Sequence, residues 1–450
     1  MNKKTFLAFT IALASSLVVS QALAAVSAEE AAKLSSSLTP LGGERAGNAD
    51  GSIPAWSGGT PQAASSGPND IPSDLFAGDK PLLKITAANM AKYSDKLSDG
   101  TRALLEKYPD SFHLDVYPTR RTASAPEYVY QNTARNAQNC KLVQDGKSVE
   151  GCFGGIPFPI PQSGQEVIWN YLLRVEPEAM EYGFKNIVIT SDGEQTLATR
   201  NDNYWQYPYY YKNGSLDNWS QEYFLQRFST TAPSFKSGET LVIRDSVNPK
   251  QARQAWQYLV GQRRVRRAPT VAYDTPDFVA SGANYFDEVQ GFFGMPDRYE
   301  WKIIGKQETY IPYNANGQVT ANVEDAFSAH HLNPDKLRWE LHRTWVVEAN
   351  LASGKRHAVP KRKFYFDEDT WLLTLMDGYD AEGKLWRTSQ VLPFVVPSVP
   401  AVLVKPVAVY NLQAGTVSNV QALNGEIFRI VPLKPESFFT GDAVAAEGVR

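Results

Sequence analysis

The chain lacks a surplus of basic residues, because its 450 residues include 45 lysines and arginines against 48 aspartates and glutamates. The resulting net charge of −3 leaves no basic surplus to hold a nucleic-acid backbone. Long apolar runs are also missing beyond the N-terminus, since the apolar stretch at 391–404 is broken by Pro393, Pro397 and Pro400. No membrane-spanning helix is therefore expected in the body of the chain.

The motifs of common catalytic sites are absent as well. The sequence contains no Gly-x-Ser-x-Gly elbow, no His-Glu-x-x-His and no phosphate-binding glycine-rich loop. Five histidines are present, none of them a pair at i, i+4 spacing, so we expect hydrogen-bonded or surface roles rather than a zinc site. The acidic stretches at 367–369 and 377–382 lack the spacing of a calcium loop and indicate solvated turns. We predict no catalytic residue, no metal and no cofactor.

The overall composition of the chain is that of a globular, strand-rich protein. Hydrophobic residues make up 43% of the chain and charged residues 21%, which excludes wholesale disorder and a coiled-coil rod. Aromatic residues reach 12%, and strands favour such side chains.

The N-terminus indicates export. Lys3 and Lys4 precede an apolar run at 5–19, and Ala22-Leu23-Ala24 fits a signal-peptidase site. We predict a signal peptide at 1–24, cleaved after Ala24, and a mature protein in the periplasm of a host with two membranes.

The two cysteines agree with an oxidising compartment. Cys140 and Cys152 flank a hairpin-like stretch with an Asp145-Gly146 turn, and a disulfide is the expected outcome there. A redox or metal-binding pair is the alternative, although the spacing fits neither pattern.

The composition changes along the chain, and this change predicts that the mature protein has two parts. Residues 25–85 read as an extended arm rich in glycine, proline and serine, with one short helix that opens at a Ser27/Glu30 capping box. Residues 86–450 read as a single large β-barrel-like domain. Within it, a proline strap at 154–161 precedes an amphipathic helix at 164–175, which opens at a Ser163/Glu166 capping box. This helix is either a lid over the open mouth of the sheet or permanent core.

Residues from about 183 to 432 read as consecutive antiparallel hairpins, which build one large curved sheet or barrel. Its aromatic residues are candidates for lining a ligand cavity, with ordinary core packing as the alternative. The ligand-binding candidates are Phe158, Ile168, Trp169, Leu172, Trp301, Trp339, Trp345, Phe364 and Trp371.

We make separate predictions for a cluster of four arginines and for the single residue Arg343. Arg263, Arg264, Arg266 and Arg267 are candidates for contact with an anionic headgroup or an acidic partner, and salt bridges to nearby acids are the alternative. Arg343 lies on an otherwise apolar strand face, so we expect it to be buried and paired with a carboxylate.

A set of motifs resembles one family, domain-of-unknown-function family 1329 of exported Gram-negative proteins. The motifs span nearly the whole mature chain and lie at 38–56, 154–170, 263–276, 305–314, 340–348, 367–371 and 379–387. The family is described as similar to outer-membrane lipoprotein-sorting proteins. That resemblance implies the LolA/LolB-like fold, a half-open antiparallel barrel with helices on its concave side, and it carries over no catalytic residue.

The resemblance also implies partners. Family members are associated with inner-membrane export pumps of the resistance-nodulation-division class and with an outer-membrane protein. The leading interpretation is a periplasmic carrier or adaptor for a hydrophobic or amphipathic, lipid-like cargo, with transient membrane contact and no nucleic acid. The alternatives are a lipid-acting hydrolase and a structural adaptor of an envelope complex without cargo.

Overall fold

The computed structural model describes residues 26–61, 63, 73–251 and 253–448. The predicted signal peptide lies outside these residues. The α-helices of the described part are α1 (Ala28–Ala31), α2 (Asp99–Lys107), α3 (Glu127–Asn139), α4 (Gly164–Leu172), α5 (Asn316–Thr320), α6 (Val323–Ala326) and α7 (Gly441–Gly448). None of them is both long and apolar enough to pass through a bilayer.

The strands dominate the fold. They are β1 (Leu83–Ile85), β2 (Leu114–Val116), β3 (Lys141–Val143), β4 (Ser148–Glu150), β5 (Ala179–Ile189), β6 (Gln195–Gln206), β7 (Glu222–Ala232), β8 (Thr240–Ser246), β9 (Gln254–Leu259), β10 (Arg264–Arg267), β11 (Tyr299–Pro312), β12 (Trp339–Leu351), β13 (Lys361–Asp367), β14 (Leu373–Tyr379), β15 (Leu385–Val396), β16 (Ala401–Asn411), β17 (Thr416–Ala422) and β18 (Phe428–Ile430).

Sixteen of these strands form one curved sheet that does not close. Its order is β1-β2-β12-β13-β14-β15-β16-β17-β5-β6-β7-β8-β9-β10, with β11 beside β12 and β18 beside β5. All pairs are antiparallel except the short β2–β12 contact. The prediction of a mainly β, half-open architecture is confirmed, and the parallel contact makes the sheet mixed rather than purely antiparallel.

Helix α4 lies against β11 and β12. Ser163 caps it by accepting a hydrogen bond of 3.3 Å from the Glu166 amide, as the sequence predicts. The helix ends at Leu172 rather than at 175, and eight of its nine residues are buried. It is therefore enclosed on almost every side, although the sequence predicts an amphipathic helix with a single apolar stripe.

The proline strap holds α4 in this position. Asn170 accepts a hydrogen bond of 2.8 Å from the Phe158 amide and donates one of 2.7 Å to the Phe158 carbonyl. At the other end, Gly164 lies so close to β11 that a Cβ atom would be 2.5 Å from the Trp301 carbonyl carbon. A larger residue at 164 would push the helix off the sheet.

The arm packs onto the same fold. The α1 capping box is formed as predicted, and Leu41 and Ile53 are buried in the main core. The last residues of the predicted arm form β1 and pair with β2. A disulfide joins Cys140 to Cys152 across the β3–β4 hairpin, which confirms that prediction.

The opposite face of the sheet is covered by the C-terminus. Phe439 and Val444 pack there on Tyr204, Leu225 and Val242. Side chains that alternate with these on β5 to β9 point to the concave face, where the candidate site lies.

Candidate functional site

Residues 268–298, which join β10 to β11, cross the concave face of the sheet. We call this segment the cover. It includes two short 3-10 turns, Phe278–Ala280 and Phe286–Gly291, which pack on strands β14 to β17 and on β5 and β6. The cover and α4 together fill the concave side. The sequence predicts the helix α4 but not the role of the cover, because the cover has no regular hydrophobic period.

Two buried carboxylates fasten the middle of the cover to the sheet. Asp287 Oδ2 lies 2.8 Å from His357 Nε2 and 3.0 Å from Arg362 Nη1. Burial opposes ionisation of Asp287, but Arg362 and His357 outweigh that effect and hold its pKa below the usual value. Glu288 forms a bidentate salt bridge with Arg387, in which Glu288 Oε2 and Arg387 Nη2 are 2.7 Å apart. We call these contacts the latch.

Gln290 links the cover to α4 and to β17. Arg174 Nη2 donates to Gln290 Oε1 over 2.6 Å, and Gln290 Nε2 donates to Gln421 Oε1 over 3.3 Å. The Tyr171 hydroxyl at the end of α4 donates to the Gln290 carbonyl. The Gln290 backbone has a φ of 55°, the left-handed region, so these contacts compensate for an unfavourable conformation.

The Phe278–Ala280 turn of the cover is held more weakly. The Val279 carbonyl accepts hydrogen bonds of 2.8 Å from Thr199 and 3.4 Å from Asn186. Lys236 Nζ donates to the Phe278 carbonyl over 3.3 Å. The Asp277 carboxylate caps this turn by accepting from the Val279 amide, and burial raises its pKa to about 6. These are single hydrogen bonds, in contrast to the charged pairs of the latch.

A cavity lies between the cover and the strands β5 to β8. Its volume is about 30 Å³, which leaves room for about two water molecules. Polar atoms reach it from Asn186, Gln226, Asp277 and Gln421. Its apolar lining comes from both sides: Phe184, Phe228, Leu241, Ile243, Val279, Phe286, Val289, Phe293 and Val420.

A buried charge cluster lies on β16 and the segment after α4. Lys405 Nζ contacts both carboxylate oxygens of Glu176 at 3.1 Å and the Tyr207 hydroxyl at 3.2 Å. It also lies 4.3 Å from the centre of the Trp205 ring. Burial lowers the pKa of Lys405 to about 7. Glu176 lines a second cavity of about 290 Å³ beside Pro126, the 398–401 turn and β18.

The nine residues predicted from the sequence as ligand contacts lie in the proline strap, in α4, on strands β11 to β13 and in the β13–β14 turn. The ring centres of Trp301 and Phe364 are 5.3 Å apart, and those of Trp345 and Trp371 are 6.1 Å apart. Phe158, Ile168, Trp169, Leu172, Trp301, Trp339, Phe364 and Trp371 are buried, and Trp345 is partly buried. None of these nine side chains lines the cavity beneath the cover.

Arg343 is paired within an ionic cluster at the β13–β14 turn. Its Nη1 lies 3.1 Å from Glu368 Oε1, and its side chain is 11% exposed. The neighbouring Asp369 accepts two hydrogen bonds from Arg121, of 2.8 and 2.6 Å. The prediction of a solvated turn at 367–369 was wrong, because cations from distant parts of the chain meet and bury these three acids.

His342 completes this cluster. Its Nδ1 lies 3.0 Å from Asp367 Oδ1 and its Nε2 lies 3.1 Å from Glu340 Oε2. Burial disfavours the charged imidazole, but the two carboxylates outweigh it and raise the pKa of His342 to about 10. The His342, Asp367 and Asp369 donor atoms converge closely enough to hold a metal ion. The cationic His342 and Arg121 already occupy these carboxylates, so the geometry is that of an internal salt-bridge network.

The four arginines at 263–267 lie on and beside the edge strand β10. Their side chains are exposed, and within the described part of the chain none forms an ion pair with a carboxylate. The salt-bridge alternative is therefore not supported by the geometry. Arg266 donates to Gln257, and Arg267 lies 5.8 Å from the centre of the Trp256 ring.

Fold and site together define a mainly β protein with an open sheet, whose concave face is closed by a latched cover. The chain belongs to the family described as "Protein of unknown function (DUF1329)", whose model matches residues 84–445. The uncharacterized protein PA3922 of Pseudomonas aeruginosa is 40% identical over 464 residues, which cover 100% of both chains. The family resemblance seen in the sequence is thereby confirmed.

Solved structures show partial similarity. A putative outer membrane lipoprotein-sorting protein domain from Vibrio parahaemolyticus has a TM-score of 0.44 and 12% identity, over 63% of this chain and 98% of that one. A DUF1329 family protein from Desulfovibrio piger has a TM-score of 0.41 and 12% identity, over 60% and 92%. A LolA superfamily protein from Nitrosomonas europaea has a TM-score of 0.37 and 11% identity, over 63% and 100%.

Proposed function

We propose that this protein is a periplasmic carrier or adaptor that holds the apolar part of a lipid-like molecule between the cover and strands β5 to β8. One observation carries the proposal: the sheet and a separable segment meet across a cavity whose lining is mainly aromatic and aliphatic. Such concave, mainly apolar sites with a few polar groups are typical of ligand binding.

The cavity is too small for cargo while the cover is closed. Room for about two water molecules does not accommodate an acyl chain. Entry therefore requires the cover to move away from β5 to β8. The Phe278–Ala280 turn is the part that moves, because its Phe278 and Val279 carbonyls are held by three hydrogen bonds rather than by charged pairs. The latch at Asp287 and Glu288 keeps the second half in place.

The energy of cargo burial is sufficient to drive this opening. Each buried methylene contributes about 0.8 kcal/mol, so ten methylenes supply about 8 kcal/mol. Breaking the three hydrogen bonds of the Phe278–Ala280 turn, one of them from the charged Lys236, costs about 4 kcal/mol. Separating the apolar side chains costs more unless cargo replaces their contacts. Cargo and cover thus compete for the same surface, so binding selects the open state.

The proposed location and partners have separate support. The N-terminal sequence has the pattern of a signal peptide, and a disulfide is typical of an oxidising compartment. The inner-membrane pump and the outer-membrane protein enter as proposals from the family resemblance alone. In this scheme the protein would exchange cargo with both.

The experiment is a binding titration with a fluorescent fatty acid. Leu241→Gln and Ile243→Gln place polar groups against the cavity, and we expect each to weaken binding about tenfold or more while the protein remains folded. Leu82→Gln is the matched control, since Leu82 is 69% exposed. Saturable binding that all three variants retain would place the cargo elsewhere. No binding by the wild type would favour an adaptor without cargo.

The hydrolase alternative has one structural feature to consider. Ser111 Oγ lies 2.9 Å from His331 Nε2, the distance of a nucleophile and its base. The other ring nitrogen of His331 lies 2.8 Å from the Leu332 carbonyl, where a catalytic triad has a carboxylate. Neither residue borders the cavity beneath the cover. The geometry therefore favours the carrier.

A further inference from the structure

The sheet end beside β10 carries an unusual surface, formed by the β7–β8 turn (233–239) and by residues 260–267. We call these two segments the basic tip. They contain five basic residues and one acid. Phe235 is 79% exposed and Val260 is 39% exposed. The two segments touch, because Val260 Cγ2 lies 3.1 Å from the Cβ position of Gly238.

We propose that the basic tip docks this protein onto an anionic phospholipid bilayer. An exposed aromatic side chain that shares a tip with lysine and arginine matches the way peripheral proteins bind membranes: the apolar group enters the interface and the cations meet phosphates. The arginines are free to do this, since within the described residues Arg263, Arg264 and Arg266 have no carboxylate partner.

The strand pairing shows how the charges are arranged. Arg264 and Arg266 pair with Leu259 and Gln257, and Val265 pairs with Tyr258. Because side chains alternate along a strand, Arg264 and Arg266 lie on the face of Gln257, which borders a small cleft next to the cover. Lys236 borders the same cleft and donates to the Phe278 carbonyl.

Docking through the tip therefore has a consequence for cargo. The weakly held Phe278–Ala280 turn would face the bilayer, with Lys236 and Arg266 at the entrance. An amphipathic molecule could leave the membrane tail first or head first without crossing bulk water. A protein partner fits this surface less well, because stable protein interfaces bury about 800 Å² on each side around an apolar centre. Here two apolar side chains protrude from a basic rim.

The test is co-sedimentation of the purified protein with vesicles, without added cargo. Vesicles contain phosphatidylcholine alone or phosphatidylcholine with phosphatidylglycerol. We expect binding to the anionic vesicles that weakens as salt is raised. The triple variant Arg263→Gln, Arg264→Gln, Arg266→Gln should bind about 100-fold less, since each basic side chain near an anionic surface contributes about fivefold.

Matched controls separate this tip from surface charge in general. The triple variant Lys33→Gln, Lys92→Gln, Lys141→Gln removes the same charge from exposed positions elsewhere and should bind as the wild type does. Phe235→Ser should weaken binding about tenfold by removing the inserted ring. Leu82→Ser, at another exposed apolar position, should have no effect.

Three results would overturn the proposal. One is a wild type that does not bind anionic vesicles, which would leave an acidic protein surface as the remaining partner. Another is equal loss in both triple variants. The third is unchanged vesicle binding by the arginine variant together with self-association in size-exclusion chromatography, which would show that the arginines only protect the open edge of β10. Because no cargo is added, these outcomes are independent of the fatty-acid titration.

Discussion

Replacing Arg387 with methionine is expected to release the cover from the sheet. Arg387 forms a bidentate salt bridge with Glu288, whose side chain is fully buried. It also donates to the Ala283 carbonyl over 3.4 Å and lies 4.9 Å from the centre of the Tyr285 ring. All three partners belong to the cover, so one substitution removes several of its anchors while methionine retains much of the buried volume.

The size of the effect follows from the charge left behind. Removing one member of a buried pair costs about 3–5 kcal/mol, because the remaining charge is unpaired. Glu288 can avoid this cost by moving into water with the cover. The loss therefore appears as local opening, and protection of the amides in 283–291 against hydrogen exchange should fall about 100- to 4,000-fold.

The assay is hydrogen–deuterium exchange read out by mass spectrometry. Peptides from β16 and β17 should exchange as in the wild type. The double variant Arg387→Met, Glu288→Leu removes both charges and should restore most of the protection. Arg356→Met, at an exposed position, is the control. Unchanged exchange in 283–291 would refute the latch, and a uniform increase over the whole sheet would show that Arg387 stabilises the global core instead.

Three further results are expected. Arg121→Met should lower the stability by about 3–5 kcal/mol in denaturant unfolding, because Asp369 loses its buried partner; an unchanged midpoint would contradict this. Burial raises the pKa of Asp377 from 3.8 to about 7, so its carboxylate costs stability progressively as pH rises through this window and fully above it. Asp377→Asn should therefore stabilise the protein by about 3 kcal/mol more near pH 8 than near pH 5, whereas equal effects at both values would refute the assignment. Replacing Cys140 and Cys152 with serine should cost about 3 kcal/mol on the chain-entropy model for a short loop, and an unchanged thermal midpoint would show that the crosslink contributes little.

The sequence predicts those parts of the fold that local patterns encode. Strand alternation and turn dipeptides predict the β5–β6 hairpin, and the Ser163 capping signal predicts where α4 begins. The end of α4 is less well marked, since no residue before Pro177 forbids helix, and tertiary packing decides it. The apolar stripe of α4 also predicts only one contact face, although the strap and the sheet bury nearly all of it.

The candidate site could not be predicted from these patterns because its contacts join distant parts of the chain. Glu288 and Arg387 are 99 residues apart, and Arg121 and Asp369 are 248 apart. An acidic run such as 367–369 has the same appearance in the sequence whether water or buried arginines surround it. The cover likewise resembles a loop until its packing against the sheet is known, although its Phe286, Phe292 and Phe293 are a signal that it is buried.

The most direct test of the carrier proposal is photo-crosslinking with a fatty acid that carries a diazirine at the end of its acyl chain. After irradiation, digestion and mass spectrometry show which peptides are labelled. The account predicts labels on peptides that contain Phe184, Phe228 or Ile243 from the sheet and Phe286 to Phe293 from the cover. Labels that an unlabelled fatty acid does not displace, or that lie only on the opposite face around Phe439, would contradict binding beneath the cover.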